Sequence, residues 1–514
     1  MKITQKCSDR LVELVEAQRE FRDVLLSDPH RPTYHFVNPE GRGMPFDPNG
    51  AIFWNGKYHL CYIYQRDHRV AERIDGNRNF DCWGHASSID LLHWRFHKAA
   101  LEPGIPDQSM FSGNCFINNE GTPTIIYHGV GAGNCIATSN EPELDNWTKL
   151  DSNPIVPIPD KNSAAGKLYS SWDPHGWTEN GVHHAIFGGP TPTLFKANNL
   201  DDWEYVGPFM SGEAEGVDAD HEDVSCPKFF KLGDRHVLLC ISHERGARVY
   251  VGDWSDNQFH PEYHQRLNFP GGTCFAPETL LDENGRRIMW AWVLDRNERL
   301  HITDFTEPPP HGWSGVMTLP RELDLKDDGT LLIKPVEELE RLRLRPREHR
   351  DVAVSDNPIR IDGIEGNTVE LQLSVDTRGA ESFGLKICAS PDGEERTLIE
   401  YSPSTSELAV DFERSTLDES VEHSYYAMYL RRSGENPVTT RQVAPLALSE
   451  GELLELRIFI DRSIVEVYAN DRQCMTQRIY PTRDDSTGIE LFSKGGTMTV
   501  KRLRAWDMAA TNPW

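Results

Sequence analysis

The feature that most constrains the fold is a tryptophan-ended turn that returns at near-equal intervals. Ile89-Asp90-Leu91-Leu92-His93-Trp94 recurs as Glu143-Leu144-Asp145-Asn146-Trp147 and again as Asn199-Leu200-Asp201-Asp202-Trp203, with a looser copy at Asp253-Trp254. The tryptophans stand 53, 56 and 51 residues apart. Each of the first three turns follows a short run rich in small residues (GHASS, CIATS, LFKAN) and leads into another β-type run. A period of about 50 residues is what propeller blades of four strands produce, since a single blade cannot bury both faces of its own sheet. Residues 35 to about 340 hold five to six units of that length.

The flanks read differently. Residues 7–26 place Leu11, Leu14, Val15, Phe21, Val24 and Leu25 on one helical face before Pro29, a helix that packs on its own chain or on a second copy. Around 335–350 the chain turns charged, as a short helix or linker. Beyond it, Val369, Leu371, Leu373 and Val375 alternate onto one face, as do Leu454, Leu456, Ile458 and Ile460. Strict period-2 alternation between turns predicts an antiparallel β-sandwich. The expected organisation is all-β: a helical extension over 1–30, a propeller over 31–340, a linker over 341–351 and a sandwich over 352–514.

Charge and composition narrow the partners. The net charge of −27 argues against nucleic acid and anionic membrane, which need a basic face, and fits a neutral substrate. No apolar run reaches the ~18 residues of a membrane span. The N-terminal residues lack a secretory pattern. The ten cysteines show no CxxC or zinc spacing, so they read as reduced thiols of a cytoplasmic protein. No metal-ligand or cofactor-binding motif is present, and His183, His184 and His221 read as lone histidines.

A propeller brings the start of each innermost strand to one axial funnel. Acidic residues at strand starts are therefore the informative ones. Three segments qualify: Phe46-Asp47-Pro48-Asn49-Gly50, Ser171-Trp172-Asp173-Pro174-His175-Gly176, and His221-Glu222-Asp223-Val224-Ser225-Cys226-Pro227. Proline pushes the preceding residue to extended geometry, so an Asp before it projects its carboxylate in a fixed direction. Asp28-Pro29 shows the dipeptide outside any such setting, and the specificity comes from three acidic motifs in separate blades. Carboxylates around an apolar funnel suit glycoside hydrolysis, where a retaining enzyme needs a nucleophile and an acid/base about 5–5.5 Å apart. Trp54, Trp83, Trp172 and Trp177 are candidates for the apolar floor.

These residues carry a resemblance over about 31–510. Arg31 to Phe36, Asp47-Pro48-Asn49-Gly50, Gly56 to Leu60, Trp83-Gly84-His85-Ala86 with Asp90 to Trp94, Phe111-Ser112-Gly113, Ala276-Pro277, Gly285 to Ile288, Leu319 to Leu323 and Asp461 to Tyr468 resemble motifs of glycoside hydrolase family 32, the invertase, levanase and inulinase group. The resemblance implies a five-bladed β-propeller followed by a β-sandwich. It also implies a retaining β-fructofuranosidase acting on sucrose, inulin- or levan-type fructans, without a cofactor. By resemblance Asp47 is the nucleophile and Asp173 the transition-state stabiliser. Asn49, Gln65, Trp83, Ser112, Trp172 and Ser225 would contact substrate.

The acid/base departs from the family pattern. Glu usually stands directly before the Cys-Pro dipeptide, where this chain has Ser225. Glu222 has the longer arm, while Asp223 shares a strand face with Ser225 unless a bulge intervenes. Phe46 replaces the usual Asn before the nucleophile, and Trp172 replaces the Arg before the stabiliser. Ile63 replaces a Gln, with Gln65 two residues on along the same face. Fructosyl transfer, an arabinan- or xylan-type propeller glycosidase, and a non-catalytic carbohydrate-binding protein are the competing readings. Association of copies through the N-terminal helix or the sandwich is a further expectation.

Overall fold

Each tryptophan-ended turn closes on itself before the outer strand begins. Asp90 Oδ1 accepts the backbone N–H groups of Leu92 and His93 at 3.1 and 2.9 Å, and Asn199 Oδ1 does the same for Asp201 and Asp202. Trp147 Nε1 and Trp203 Nε1 donate to the carbonyls of Leu144 and Leu200. Short polar side chains that bond backbone two residues on stabilise such turns. Trp94, Trp147 and Trp203 all stand immediately before the fourth strand of their sheet. Trp254 differs: it lies inside the strand Gly246–Ser255, so the fourth copy is not a turn.

A computed structural model describes residues 5–39, 46–65, 81–211, 223–243, 246–295, 313–419, 421 and 439–512. Five antiparallel sheets follow one another along the chain, over 48–96, 110–157, 174–208, 225–266 and 274–335. The main path of each runs up and down, as in propeller blades, with one further short strand paired onto it in the second and fifth sheets; we number them I to V. Their first strands are Pro48–Trp54, Met110–Ile117, Pro174–Glu179, Ser225–Leu232 and Cys274–Leu281. In blades I, II, IV and V the register slips within the first few residues of that strand. Gly50, Cys226 and Ala276 have φ of 56°, 47° and 45° at these slips. A bulge at a strand start re-aims the neighbouring side chains. Here it is repeated around the axis.

Trp83, Trp290 and Trp292 are among the largest fully buried side chains. Phe46, also fully buried, packs 5.2 Å from the ring of Tyr62 and 6.3 Å from that of Phe36. The apolar side chain before Asp47 therefore belongs to the core.

Two six-stranded sheets follow the blades. The alternating rows named from the sequence face each other across adjacent strands: Val369 pairs with Ile460, Leu371 with Ile458, Leu373 with Leu456 and Val375 with Leu454. All eight are buried between the sheets. The expected linker over 341–351 is corrected. Glu337–Leu342 is a 3₁₀ turn, and Arg343–Val354 is a strand paired with Met498–Met508. It forms the edge of its sheet and most of its side chains are at least partly exposed, which explains its charge.

The sandwich clasps the lead-in to blade I. Buried Asp461 accepts hydrogen bonds from the backbone N–H groups of Thr33, Tyr34 and His35 (2.7, 2.9 and 3.0 Å), from Thr33 Oγ1 and from His35 Nδ1. Arg321 of blade V lies 3.2 Å from Glu466. The N-terminal helix Gln5–Ser27 seats Phe21 and Leu25 against Val37, Val293, Trp313, Val316 and Ile464. Leu11, Leu14, Val15 and Val24 of the same stripe are exposed. Among the described residues no helix is long and apolar enough to cross a membrane.

Candidate active site

The segments singled out by their acids meet at the strand starts of blades I, III and IV. Asp47, just before the first strand of blade I, is buried. Its Oδ2 accepts a hydrogen bond from Ser112 Oγ of blade II at 2.8 Å. Its Oδ1 is buried and has no hydrogen-bond partner among the described residues. Burial pushes the Asp47 carboxyl up to about 6, and the Asp173 charge adds to this. Ser112, His243 and Cys226 pull the other way.

Asp173, before the first strand of blade III, is also buried. Its Oδ2 accepts the backbone N–H of Cys226 at 3.0 Å. The Cys226 thiol touches both carboxylates, 3.7 Å from each Oδ2, and lies 3.3 Å from Ser112 Oγ. Four blades thus meet around two aspartates. The bulge at Cys226 turns its N–H and its thiol toward them. Burial holds that thiol far above the ordinary range, so it stays protonated.

Ser225 is fully buried. It accepts a hydrogen bond from Trp172 Nε1 at 2.9 Å and donates to Asp223 Oδ2 at 2.6 Å. The two departures from the family pattern, Trp172 and Ser225, are therefore partners of each other. His243, in the turn after the strand Arg235–Ser242, donates its backbone N–H to Asp223 Oδ1 at 2.8 Å, and its Nδ1 lies 2.6 Å from Asp223 Oδ2. Burial alone raises the Asp223 carboxyl, but His243 and Ser225 outweigh it and the net direction is down. The slip in blade IV lies between Ser225 and Lys228, beyond both acid candidates, so it does not reverse the parity of Asp223 and Ser225. Glu222 lies outside the described residues.

A cavity of about 440 Å³ opens beside these groups, lined among others by Trp172, Asp223, His243, His128, Tyr169 and Lys161. His128 packs 4.9 Å from the Trp172 ring. An apolar wall with a few convergent polar groups is the usual character of a small-ligand site. Deeper in, Lys228 Nζ donates to the Gly113 carbonyl at 2.7 Å and lies 3.5 Å from Glu278, whose carboxyl burial lifts to about 7 against the pull of Lys228.

The structure places several of the expected substrate contacts outside the described cavity lining. Trp83 has no exposed surface and gives its Nε1–H to the Phe111 carbonyl, so it is a core residue between blades I and II. Asn49 is fully buried; its Nδ2 donates to the Asp47 carbonyl and its Oδ1 accepts from Gly113 N–H, which fixes the segment that carries Asp47. Gln65 pairs with Asp81 across the sheet and its side chain hydrogen-bonds that carboxyl. Of the four tryptophans proposed for the floor, Trp54 and Trp177 pack in blade clusters, and Trp172 lines the cavity. His243 and His128 had no sequence signal, because they reach the funnel from loops and strand ends. Away from the site, His85, His97 and Asp145 bring ligand atoms within 4.8 Å of one another. The His85 and His97 rings are stacked at 4.3 Å, and both His97 nitrogens are engaged, by Ser87 and Asp145.

Comparison with known proteins agrees with this architecture. The family model described as "Glycosyl hydrolases family 32 N-terminal domain" matches residues 35–335, and "Glycosyl hydrolases family 32 C terminal" matches 338–507. A sucrose-6-phosphate hydrolase of Zymomonas mobilis is 28% identical over 98% of this chain and 97% of its own length. A levanase of Bacillus subtilis is 28% identical over 92% of this chain and 70% of its own length. The crystal structure of fructan 1-exohydrolase IIa from Cichorium intybus superposes with a TM-score of 0.77, covering 94% of this chain and 98% of that one at 23% identity. With both family models matched in order over nearly all of its length, the chain belongs to glycosyl hydrolase family 32.

Proposed function

We propose that the protein is a retaining β-fructofuranosidase in which Asp47 attacks the anomeric carbon and Asp173 binds ring hydroxyls. The chain is a glycosidase that cleaves β-fructofuranosidic bonds. The observation that carries the assignment of Asp47 is the asymmetry of its carboxylate: Oδ2 is tied to Ser112, while buried Oδ1 has no hydrogen-bond partner among the described residues. A nucleophile needs one oxygen held and one available in a near-attack position. Cys226 supports the pairing with Asp173 because one residue touches both carboxylates. The acid/base is Glu222, with Asp223, which lines the cavity, as the alternative. Its substrates are sucrose, inulin- or levan-type fructans and short fructo-oligosaccharides.

Product analysis on that panel tests the reading. Wild-type protein releases fructose from at least one member, and Asp47→Ala abolishes it. Release of fructose by Asp47→Ala at the wild-type rate would overturn the assignment. The reading also puts the enzyme in the cytoplasm, supported by nine buried cysteines that form no disulfide. It includes self-association through the exposed face of the N-terminal helix, read by sedimentation of Leu11→Glu/Leu14→Glu against wild type.

A further inference from the structure

A fully buried ion pair links blades IV and V beside the two aspartates. Lys228 stands two residues after Cys226 in the first strand of blade IV, and Glu278 stands in the first strand of blade V. Lys228 Nζ lies 3.5 Å from a Glu278 carboxylate oxygen, and each side chain is only 1% exposed. We propose that Lys228 is a positioning residue for the nucleophile: it reaches across the propeller axis to hold Gly113 of blade II, and through Gly113 it sets the Ser112 hydroxyl against Asp47. The inference rests on the reading of Asp47 as the nucleophile.

Four hydrogen bonds make the path. Lys228 Nζ donates to the Gly113 carbonyl at 2.7 Å. The Gly113 N–H donates to Asn49 Oδ1 at 2.9 Å, and Asn49 Nδ2 donates to the Asp47 carbonyl at 2.9 Å. Ser112, joined directly to Gly113, gives its hydroxyl to Asp47 Oδ2 at 2.8 Å. Gly113 is thus held at both its N–H and its carbonyl. Asp47 is gripped at its backbone and at its carboxylate from the same short stretch of blade II.

The topology explains why a lysine does this. The first strands of the blades pack against one another in chain order, and that of blade I packs against that of blade V, which closes the ring. Blades II and IV are not neighbours in that order, so a side chain running from one to the other spans the axis. An unbranched stem with a compact terminal donor fits such a span. Ser112 and Gly113 lie at the register slip of the strand Met110–Ile117, where the regular ladder does not set their position. A Cβ on Gly113 would lie 2.0 Å from the Ile126 carbonyl, so the backbone alone carries the contact.

Stability does not account for the pair. Two charges taken out of water lose solvation that their mutual attraction barely offsets, and apolar replacement of such a pair is often neutral or stabilising. Burial lifts the Glu278 carboxyl to about 7, against the pull of Lys228 and of the Thr279 and Ala51 backbone N–H groups. Loss of Lys228 raises it further, so the carboxyl takes up a proton near neutral pH and no charge is stranded. What goes with the lysine is the donor to Gly113. Misplacing a reacting group by about 1 Å lowers the rate by about 10²-fold, and the hold on Gly113 guards against that.

The test measures kcat, KM and the pH profile of kcat/KM on the best fructoside of the panel, with thermal melts. The variants are Lys228→Met, Lys228→Met/Glu278→Gln and Ser112→Ala/Lys228→Met. Lys228→Met lowers kcat by about 10- to 10²-fold and leaves KM within about threefold of wild type. Its acidic limb moves to higher pH, because a loosened Ser112 no longer favours ionised Asp47, while Asp173, His243 and Cys226, which also act on that carboxyl, are unchanged. Lys228→Met/Glu278→Gln removes both charges together, so it folds even where the single variant does not, and it shows the same loss of kcat. In Ser112→Ala/Lys228→Met the limb stands where Ser112→Ala alone puts it, since both changes act on it through one hydrogen bond. Limb shifts that add in that double variant mark a through-space effect of the lysine charge and overturn the positioning role. So does wild-type kcat in Lys228→Met/Glu278→Gln. Asp47→Ala separates the two levels: its activity refutes the nucleophile reading itself, whereas a dead Asp47→Ala with wild-type kcat in the Lys228 variants refutes only the positioning role.

Discussion

Removing the Ser112 hydroxyl should move the acidic limb of the pH profile by an amount that follows from the geometry. Ser112 Oγ donates at 2.8 Å to Asp47 Oδ2 inside a site where the carboxylate is otherwise desolvated, and Asp47 titrates at about 6. A hydrogen bond to a charged group contributes about 1.5–3 kcal/mol. One pKa unit corresponds to about 1.4 kcal/mol, so Ser112→Ala raises the Asp47 carboxyl by about one to two units, to between about 7 and 8. The sign is fixed because the bond favours the ionised acceptor and is lost with the donor. The nucleophile must be ionised, so activity rises with pH through this value. At pH 7 the ionised fraction falls from about nine-tenths to between about a half and a tenth, a loss of about two- to ninefold in kcat/KM. The assay is kcat/KM against pH on one fructoside for both proteins, with thermal melts to confirm folding. An acidic limb that stays in place while Ser112→Ala folds normally would refute the claim that the limb reports Asp47 held by Ser112.

Other perturbations read other parts of the account. Asp461→Ala strands three backbone N–H groups and His35 at the junction of propeller and sandwich; a loss of about 3–5 kcal/mol is expected, seen as a large drop in melting temperature or failure to fold. Glu466, fully buried, is held at about 2 because Arg321 and His35 outweigh the burial that would raise it. Its stabilising contribution is present above the ordinary glutamate value and is lost as pH falls from there toward about 2, so acid unfolding of wild type should flatten in Glu466→Gln. Cys226 is buried and its thiol protonated, so iodoacetamide under native conditions should leave both activity and Cys226 unmodified; alkylation at that residue would contradict the packing.

How much was legible beforehand follows from what each signal physically encodes. The turns ending at Trp94, Trp147 and Trp203 were readable because an Asp and a closing Trp recur in each, with an Asx cap at the first and third. Blade V, over 274–335, carries no such turn and was reached only by length and resemblance. The rows beginning at Val369 and Leu454 were readable as sandwich core because alternation is all that a half-buried strand requires. The strand Arg343–Val354 was not, because an edge strand with charged outer faces reads like a linker.

At the site, Asp47 and Asp173 were legible through the proline that follows each. Asn49 and Trp83 were expected to contact sugar, and the structure gives them hydrogen bonds to the Asp47 and Phe111 carbonyls instead; a polar or aromatic residue beside an acidic motif looks the same in sequence whether it braces the loop or faces the ligand. His243 was invisible because its pairing with Asp223 is made across a strand hairpin, with no spacing rule to announce it. The stripe on the N-terminal helix was read as one face, yet Phe21 and Leu25 meet the body while Leu11 and Leu14 stay outside.

The central claim is that Asp47 forms a bond to the fructosyl unit. Rapid quench of the wild-type enzyme turning over β-fructosyl fluoride, followed by digestion and mass spectrometry, tests it most directly. The account predicts a peptide containing Asp47 that has gained one anhydrofructose unit, absent in Asp47→Ala. A fructosyl adduct on a different carboxylate, or turnover that yields fructose of inverted configuration with no adduct, would contradict it.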